Sequence, residues 1–185
     1  MRKVIVSQLI SLDGVIEHPE FSAPYRRAEQ MALKLDELRE ADALLLGRIT
    51  YEEFAASWPE LAASGGEYAE RMNRYPKHVA STSLTAAAWN TSVLQGDLPA
   101  AIGALKAQPG RDLLVYGSGT LVASLARHDL VDEYHLMLCP LTVGTGRRLF
   151  PEGVGATFQL TGSRAFDSGV IFLTYRRAPQ TAAAE

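Results

Sequence analysis

The chain has 185 residues, 47% of them hydrophobic, which suits one globular domain with a substantial core. A net charge of -3 argues against a basic nucleic-acid surface, and no window reaches transmembrane length. Cys139 is the only cysteine, so no intrachain disulfide is expected, and the absence of a signal-peptide pattern points to the cytoplasm.

Residues 3–10 are apolar and β-branched, and predict a strand ending in Ser11-Leu12-Asp13-Gly14, where Asp-Gly marks a turn. A loop with two prolines, Pro19 and Pro24, follows. From about Arg26 to Glu40 the set Ala28, Met31, Ala32, Leu35 and Leu38 has helical spacing and predicts an apolar face. Ala43-Leu44-Leu45-Leu46 is too apolar for an exposed edge and belongs at a sheet centre. It runs into Gly47-Arg48-Ile49-Thr50, where Thr50 is a plausible helix N-cap with Glu53 closing a capping box. After a glycine-containing loop, a short helix is expected through Tyr68 to Met72. A strand over Lys77–Ala80 then ends in Ser81-Thr82-Ser83.

The second half repeats the alternation, with a short strand at Ser92–Leu94 and a helix from Leu98 to Ala107. Leu113–Tyr116 reads as a strand running into Gly117-Ser118-Gly119-Thr120, and Leu121, Val122 and Leu125 then recur at helical spacing to about His128. Glu133–Cys139 is strand-like, and residues 157–161 and 169–175 read as a final antiparallel pair. Residues 1–178 are expected to form a single domain and residues 179–185 a disordered tail. Alternating strands and helices followed by a terminal β pair predict an α/β fold whose sheet is mostly parallel with an antiparallel C-terminal edge.

The Gly117–Thr120 turn is open to two readings. Its glycines permit a tight connection, and they also let a ligand approach a helix N-terminus whose unpaired N–H groups attract phosphate. It is not a P-loop, which would need Gly-Lys-Ser/Thr. It fails the dinucleotide fingerprint because Val122 stands at the third glycine, and the nucleophile elbow because Tyr116 stands at the first. In a parallel sheet the carboxyl ends of strands share one side, so the Gly47, Ser81 and Gly117 junctions are expected to line one cleft.

At these residues the sequence resembles the dihydrofolate-reductase-like superfamily. It is most similar to the reductase half of the bacterial riboflavin-biosynthesis deaminase-reductase and its stand-alone relatives. The match is carried by Ser11–Gly14, Leu46–Glu52, Ser81-Thr82, Val115–Thr120, and Pro140 with Gly144-Thr145-Gly146. The resemblance implies an NADPH-dependent oxidoreductase, a small heterocyclic substrate of pterin, pyrimidine or flavin-precursor type, and a homodimer. It implies that Gly117, Ser118, Gly119, Thr120 and Leu121 hold the pyrophosphate through backbone N–H groups. Gly47, Arg48 and Thr50 would flank it, and Ser81 and Thr82 would hold the 2′-phosphate. Thr50 is equally a helix cap, Arg48 an ordinary surface arginine, and Ser81-Thr82 a strand end.

On the substrate side, Asp13 matches the family's Ser-Leu-Asp-Gly aspartate and is a candidate catalytic residue, or a turn residue bonding its own backbone. Glu29 is the nearest candidate for the carboxylate that dihydrofolate reductases carry on their first helix, although its surroundings depart from that motif. Gln8 is a candidate to present its amide to a heterocycle, and Tyr51 and Trp58 to stack on a ring or fill the core. Gly144-Thr145-Gly146-Arg147-Arg148 fits a substrate phosphate or a solvent-facing turn. The four histidines lack metal-ligand spacing, so no catalytic metal is expected. A nucleotide-binding or regulatory module without turnover is the alternative reading.

Overall fold

A computed structural model describes residues 1–85 and 87–178; the expected tail at 179–185 lies outside the described residues. The strands are β1 (Val4–Ser11), β2 (Ala41–Gly47), β3 (Lys77–Ala80), β4 (Thr91–Leu94), β5 (Asp112–Tyr116), β6 (Glu133–Cys139), β7 (Phe158–Ala165) and β8 (Ile171–Arg177). They form one eight-stranded sheet in the order β4-β3-β2-β5-β1-β6-β8-β7. All pairs from β4 to β6 are parallel, and β8 runs antiparallel between β6 and β7. The fold is α/β, a mostly parallel sheet with an antiparallel C-terminal edge, as the element pattern predicts.

The helices are α1 (Ala28–Glu40), α2 (Arg48–Ser57), α3 (Gly66–Arg74), α4 (Leu98–Ala107) and α5 (Gly119–Arg127). Strand alternation divides the core between the two faces of the sheet. Val4, Val6, Ala43, Leu45, Leu113 and Val115 pack on Ile102 and Leu105 of α4 and on Leu121, Val122 and Leu125 of α5. Ile5, Leu44, Leu46 and Leu114 face the other way, onto Leu38 of α1, Tyr51 of α2 and Met72 of α3. The apolar run of β2 is buried on both faces between β3 and β5, where its composition requires it to be.

Three local expectations are corrected. The two-proline loop folds as a 3-10 helix over Pro19–Tyr25, with a proline at its first turn, where a missing N–H costs nothing. Thr50 does not cap α2; Gly47 occupies the cap position and Thr50 is the third helical residue. The expected apolar face of α1 is rotated away from the sheet: Ala28, Met31 and Ala32 are exposed and Leu35 is half-buried. Gln30, Glu37 and Leu38 are buried instead, with Lys34 only 12% exposed in its side chain. Hydrophobic spacing assigns Lys34 and Glu37 to water. Inside the fold each neutralises the other, so a polar stripe can be buried.

Candidate functional site

A cleft of about 1530 Å³ opens over the carboxyl ends of the parallel strands. That exceeds the usual 300–1,000 Å³ of a one-ligand pocket and leaves room for two molecules side by side. Gly47, Arg48, Thr50, Ser81, Thr82 and Gly117 to Leu121 all line it. The register explains the convergence: β3, β2, β5 and β1 are neighbours running the same way, so the loops that follow β3, β2 and β5 emerge side by side.

The two glycine junctions are tied together by Ser118. Its Oγ accepts from the Gly47 N–H (2.9 Å) and donates to the Tyr116 carbonyl (2.9 Å), while its own N–H donates to Thr50 Oγ1 (2.9 Å). These bonds hold Ser118 at φ 58°, a left-handed conformation that costs a non-glycine residue on the order of 1–3 kcal/mol. Gly117 is also left-handed, at φ 52°, and a Cβ there would lie 3.1 Å from Thr50 Oγ1. Thr50 therefore supports the turn through its hydroxyl and touches the cleft from behind.

The N–H groups of Gly119, Thr120 and Leu121 open α5 and donate to no acceptor among the described residues; the first helical bond runs from Val122 N–H to Ser118 O. With the helix dipole behind them, they form an anion site. A Cβ on Gly119 would lie 2.6 Å from Arg147 Cδ, so the absence of a side chain is what keeps this first turn open beside Arg147. Arg147 lines the cleft and lies 4.0 Å from the Glu17 carboxylate. It comes from the Gly144–Arg148 loop, whose two glycines in a basic context were the sequence signal for it. Arg48 also lines the cleft and is paired with Glu52 at 2.7 Å. Ser81 Oγ accepts from the N–H groups of Ser83 and Leu84, which shapes the loop after β3.

The substrate-side candidates divide. Gln8 is 97% buried, lines the cleft and donates its amide N–H to the Gly117 carbonyl. Trp58 lines the cleft while packing on Tyr68, with ring centroids 5.4 Å apart. Tyr51 is buried in the core beneath α2, its hydroxyl bonded to the Ala88 backbone at both N–H (2.9 Å) and O (3.1 Å), so it does not reach a ligand ring. Glu29 is exposed on the outer side of α1 and paired with Arg164 at 2.8 Å, away from the cleft; its assignment as a catalytic carboxylate is withdrawn.

Asp13 is likewise outside the cleft wall. Hydrogen bonds from Ser11 Oγ (2.6 Å) and from the N–H groups of Val143 (3.0 Å) and Gly144 (2.7 Å) hold its carboxyl at about 2. A carboxylate so stabilised as an anion is a poor proton donor, and its place is that of a clasp between two loops. Asp13→Asn should accelerate amide hydrogen exchange at Val143 and Gly144 with little change at Gly119. Unchanged exchange at both N–H groups would remove the clasp.

Sequence reasoning missed a polar cluster at the cleft floor. Ser7 pairs in register with Tyr116 of β5 and with His135 of β6, so three polar side chains cross the sheet in one row. Glu37 reaches down to this row from α1, accepting from Ser7 Oγ (2.9 Å), Lys34 Nζ (3.0 Å) and His135 Nδ1 (2.8 Å). Burial pushes the Glu37 pKa up, but the Lys34 charge and the His135 hydrogen bond outweigh it and hold the group ionised. The signal was present in Ser7 and His135, polar residues on strands whose other members are mostly apolar.

Comparison with known proteins agrees with this architecture. YyaP of Bacillus subtilis (strain 168) is 24% identical over 177 residues, 94% of each chain. The crystal structure of a protein of Shewanella sp. PV-4 assigned to riboflavin biosynthesis superposes with a TM-score of 0.74 at 22% identity, covering 96% of this chain and 99% of that one. Dihydrofolate reductase from Enterococcus faecalis, complexed with NADP(H), superposes with a TM-score of 0.65 at 16% identity, covering 96% and 97%. The family model described as the RibD C-terminal domain matches residues 2–172, and the chain belongs to that family, with a dihydrofolate-reductase-like fold.

Proposed function

We propose that the protein is an NADPH-dependent reductase that delivers hydride to a C=N or C=O of a small, flat heterocycle. The observation that carries this reading is the meeting of Gly47, Arg48, Ser81, Thr82 and the α5 N-terminus around one cleft. The open first turn of α5 fits a pyrophosphate, held by the N–H groups of Gly119, Thr120 and Leu121. Ser81 and Thr82 fit the 2′-phosphate, and Arg48 the charge between them. A bound dihydronicotinamide supplies the hydride; the protein orients donor and acceptor and keeps water away. Leu9, Met31, Trp58 and Met137 make the remaining wall apolar, suited to a planar ring.

Arg48→Ala should weaken NADPH binding about tenfold, or roughly 1.4 kcal/mol, the low end for a charge-assisted bond because Glu52 already shares the guanidinium. Calorimetric titration giving an unchanged affinity would remove Arg48 from the phosphate site. NADPH oxidation followed by absorbance against pterins, flavin precursors and quinones tests the activity itself. A second reading, nucleotide binding without turnover, is favoured by the position of Asp13 and Glu29 outside the cleft lining, and binding with no oxidation by any acceptor would establish it. A cytoplasmic homodimer belongs to the same proposal. Leu160 and Ile171 leave apolar surface on the outer strands, and sedimentation at a monomer mass would remove the dimer.

A further inference from the structure

Reduction of C=N or C=O consumes a proton as well as a hydride, and neither predicted carboxylate is placed to give one. We propose that Lys34 is the proton donor, and that Glu37, His135 and Glu133 form the path by which its proton is replaced. This rests on the reductase reading above.

Lys34 lines the cleft together with Ser7 and Tyr116, and its side chain is otherwise enclosed. Its Nζ bonds Ser7 Oγ and Glu37 Oε2 and stands 5.4 Å from the Tyr116 ring centroid. Behind it the Glu37 carboxylate is buried, and its second oxygen contacts His135 Nδ1. The opposite ring nitrogen, Nε2, lies 3.5 Å from Glu133 Oε2. Glu133 in turn accepts from Lys3 Nζ (2.7 Å), whose side chain is half exposed, and faces Arg176 across the β6–β8 ladder. A continuous row of exchangeable groups thus leads from the cleft floor to solvent at the far end of β6. The groups facing Lys34 are Glu37 from its own helix, Ser7 from β1 and Tyr116 from β5, with Tyr68 of α3 beside Tyr116 and within reach of the Glu37 charge. Those facing His135 are Glu37 and Glu133.

The step balances. A C–H bond forms at the acceptor carbon, and the π pair moves onto nitrogen or oxygen. That atom takes a proton from Lys34 Nζ, leaving a neutral amine. Oxidation of the dihydronicotinamide to nicotinamide supplies the two electrons. The amine recovers its proton through Glu37 from His135 Nδ1 while Nε2 takes one from solvent by way of Glu133, and a turn of the imidazole ring restores the starting tautomer. One solvent proton is consumed per turnover. An imidazole suits the middle position because it accepts at one nitrogen and donates at the other near neutral pH.

The test compares wild type, Lys34→Arg, Lys34→Met and His135→Asn, with NADPH as donor and 7,8-dihydrobiopterin or menadione as acceptor. Arginine keeps a cation beside Glu37 but does not release its proton at any working pH. Lys34→Arg should bind NADPH as wild type does and keep its acceptor KM within about threefold, while kcat falls at least 100-fold. Lys34→Met should lose kcat to the same extent. His135→Asn, which preserves a hydrogen bond to Glu37 but cannot pass a proton between ring nitrogens, should lower kcat and leave NADPH binding and acceptor KM unchanged. A readout without turnover comes from the His135 ring nitrogens by NMR. The Nδ1 chemical shift should move in Lys34→Met, because the Glu37 carboxylate then keeps only Ser7 and His135 as donors.

Wild-type kcat in Lys34→Arg overturns Lys34 as donor, and an unmoved His135 Nδ1 shift overturns the path. Wild type that binds NADPH but oxidises it with neither acceptor removes the donor role along with the reductase reading. Failure of the variants alone leaves that reading standing. Should Lys34→Met not fold, Lys34→Arg and His135→Asn decide the question.

Discussion

Gly119→Val is expected to lose NADPH binding by at least 100-fold while the protein keeps its fold. The new Cβ would arrive 2.6 Å from Arg147 Cδ and 3.4 Å from Ile16 Cδ1. Arg147 is 45% exposed in its side chain, so it can swing aside without disturbing the core. Backbone φ at Gly119 is not in the left-handed range, so valine adopts it without strain there. The branched side chain and the displaced guanidinium would then cover the first turn of α5, where a phosphate must come within hydrogen-bond distance of main-chain N–H groups. Three such bonds, each to a charged acceptor, are lost together, which exceeds the 2.7 kcal/mol that a 100-fold change requires. Circular dichroism and thermal unfolding should match wild type within a few degrees. Normal NADPH affinity in this variant would place the pyrophosphate elsewhere and empty the central argument for the cleft.

The second large effect concerns Lys77, which is fully buried at the start of β3. Its ammonium donates to the Asn73 carbonyl (2.8 Å) and sits 3.8 Å from the Trp89 ring centroid. No carboxylate partners it among the described residues, and burial pulls its pKa from 10.5 down to about 8. The unfolded chain therefore binds more protons than the folded one between pH 8 and 10.5, and stability rises with pH across that window. The contribution is complete above about 10.5 and is lost as pH falls through 8, amounting to roughly 3 kcal/mol. Lys77→Met fills the same volume without the charge. Near pH 7 it should equal or exceed wild type in denaturant stability, offset only by the lost hydrogen bond and cation–π contact. Above pH 10 wild type should overtake it. Because tyrosines also titrate there, the difference between the two proteins is the quantity to follow. A difference that stays flat from pH 7 to 10.5 would show that Lys77 titrates normally.

Much of the architecture was legible because it rests on periodicity and punctuation. The bounds of α4 and β6 follow from mostly apolar runs closed by Pro109-Gly110 and Pro140, and the end of β3 from Ser81-Thr82. The Gly47, Ser81 and Gly117 junctions follow from strand polarity alone. What escaped was any feature in which polar groups satisfy one another across the fold. The buried face of α1 was missed because Lys34 and Glu37 look solvated when their partners, Ser7 and His135, are far away in sequence. Thr50 looked like a helix cap because Ser118, which its hydroxyl serves, lies in another loop. Tyr51 looked available for stacking until the Ala88 backbone claimed its hydroxyl. Asp13 and Glu29 matched motif positions, but a motif position does not say which way the loop or helix turns its side chain. Arg147 was weighed for a phosphate, and only the pairing of residues 15–16 with 147–148 brought it beside Gly119.

The place of β1 between β5 and β6 also bears on how the chain comes together as it is made. β1 precedes the other strands of this sheet in the chain and lies inside it, yet Val4 waits for Leu113 and Ile5 for Glu133. Until then an apolar ribbon has both edges open, a form prone to pairing with other nascent chains. Closing such long loops delays the folding barrier until β5 and β6 are present, so assembly of the sheet is expected to be slow.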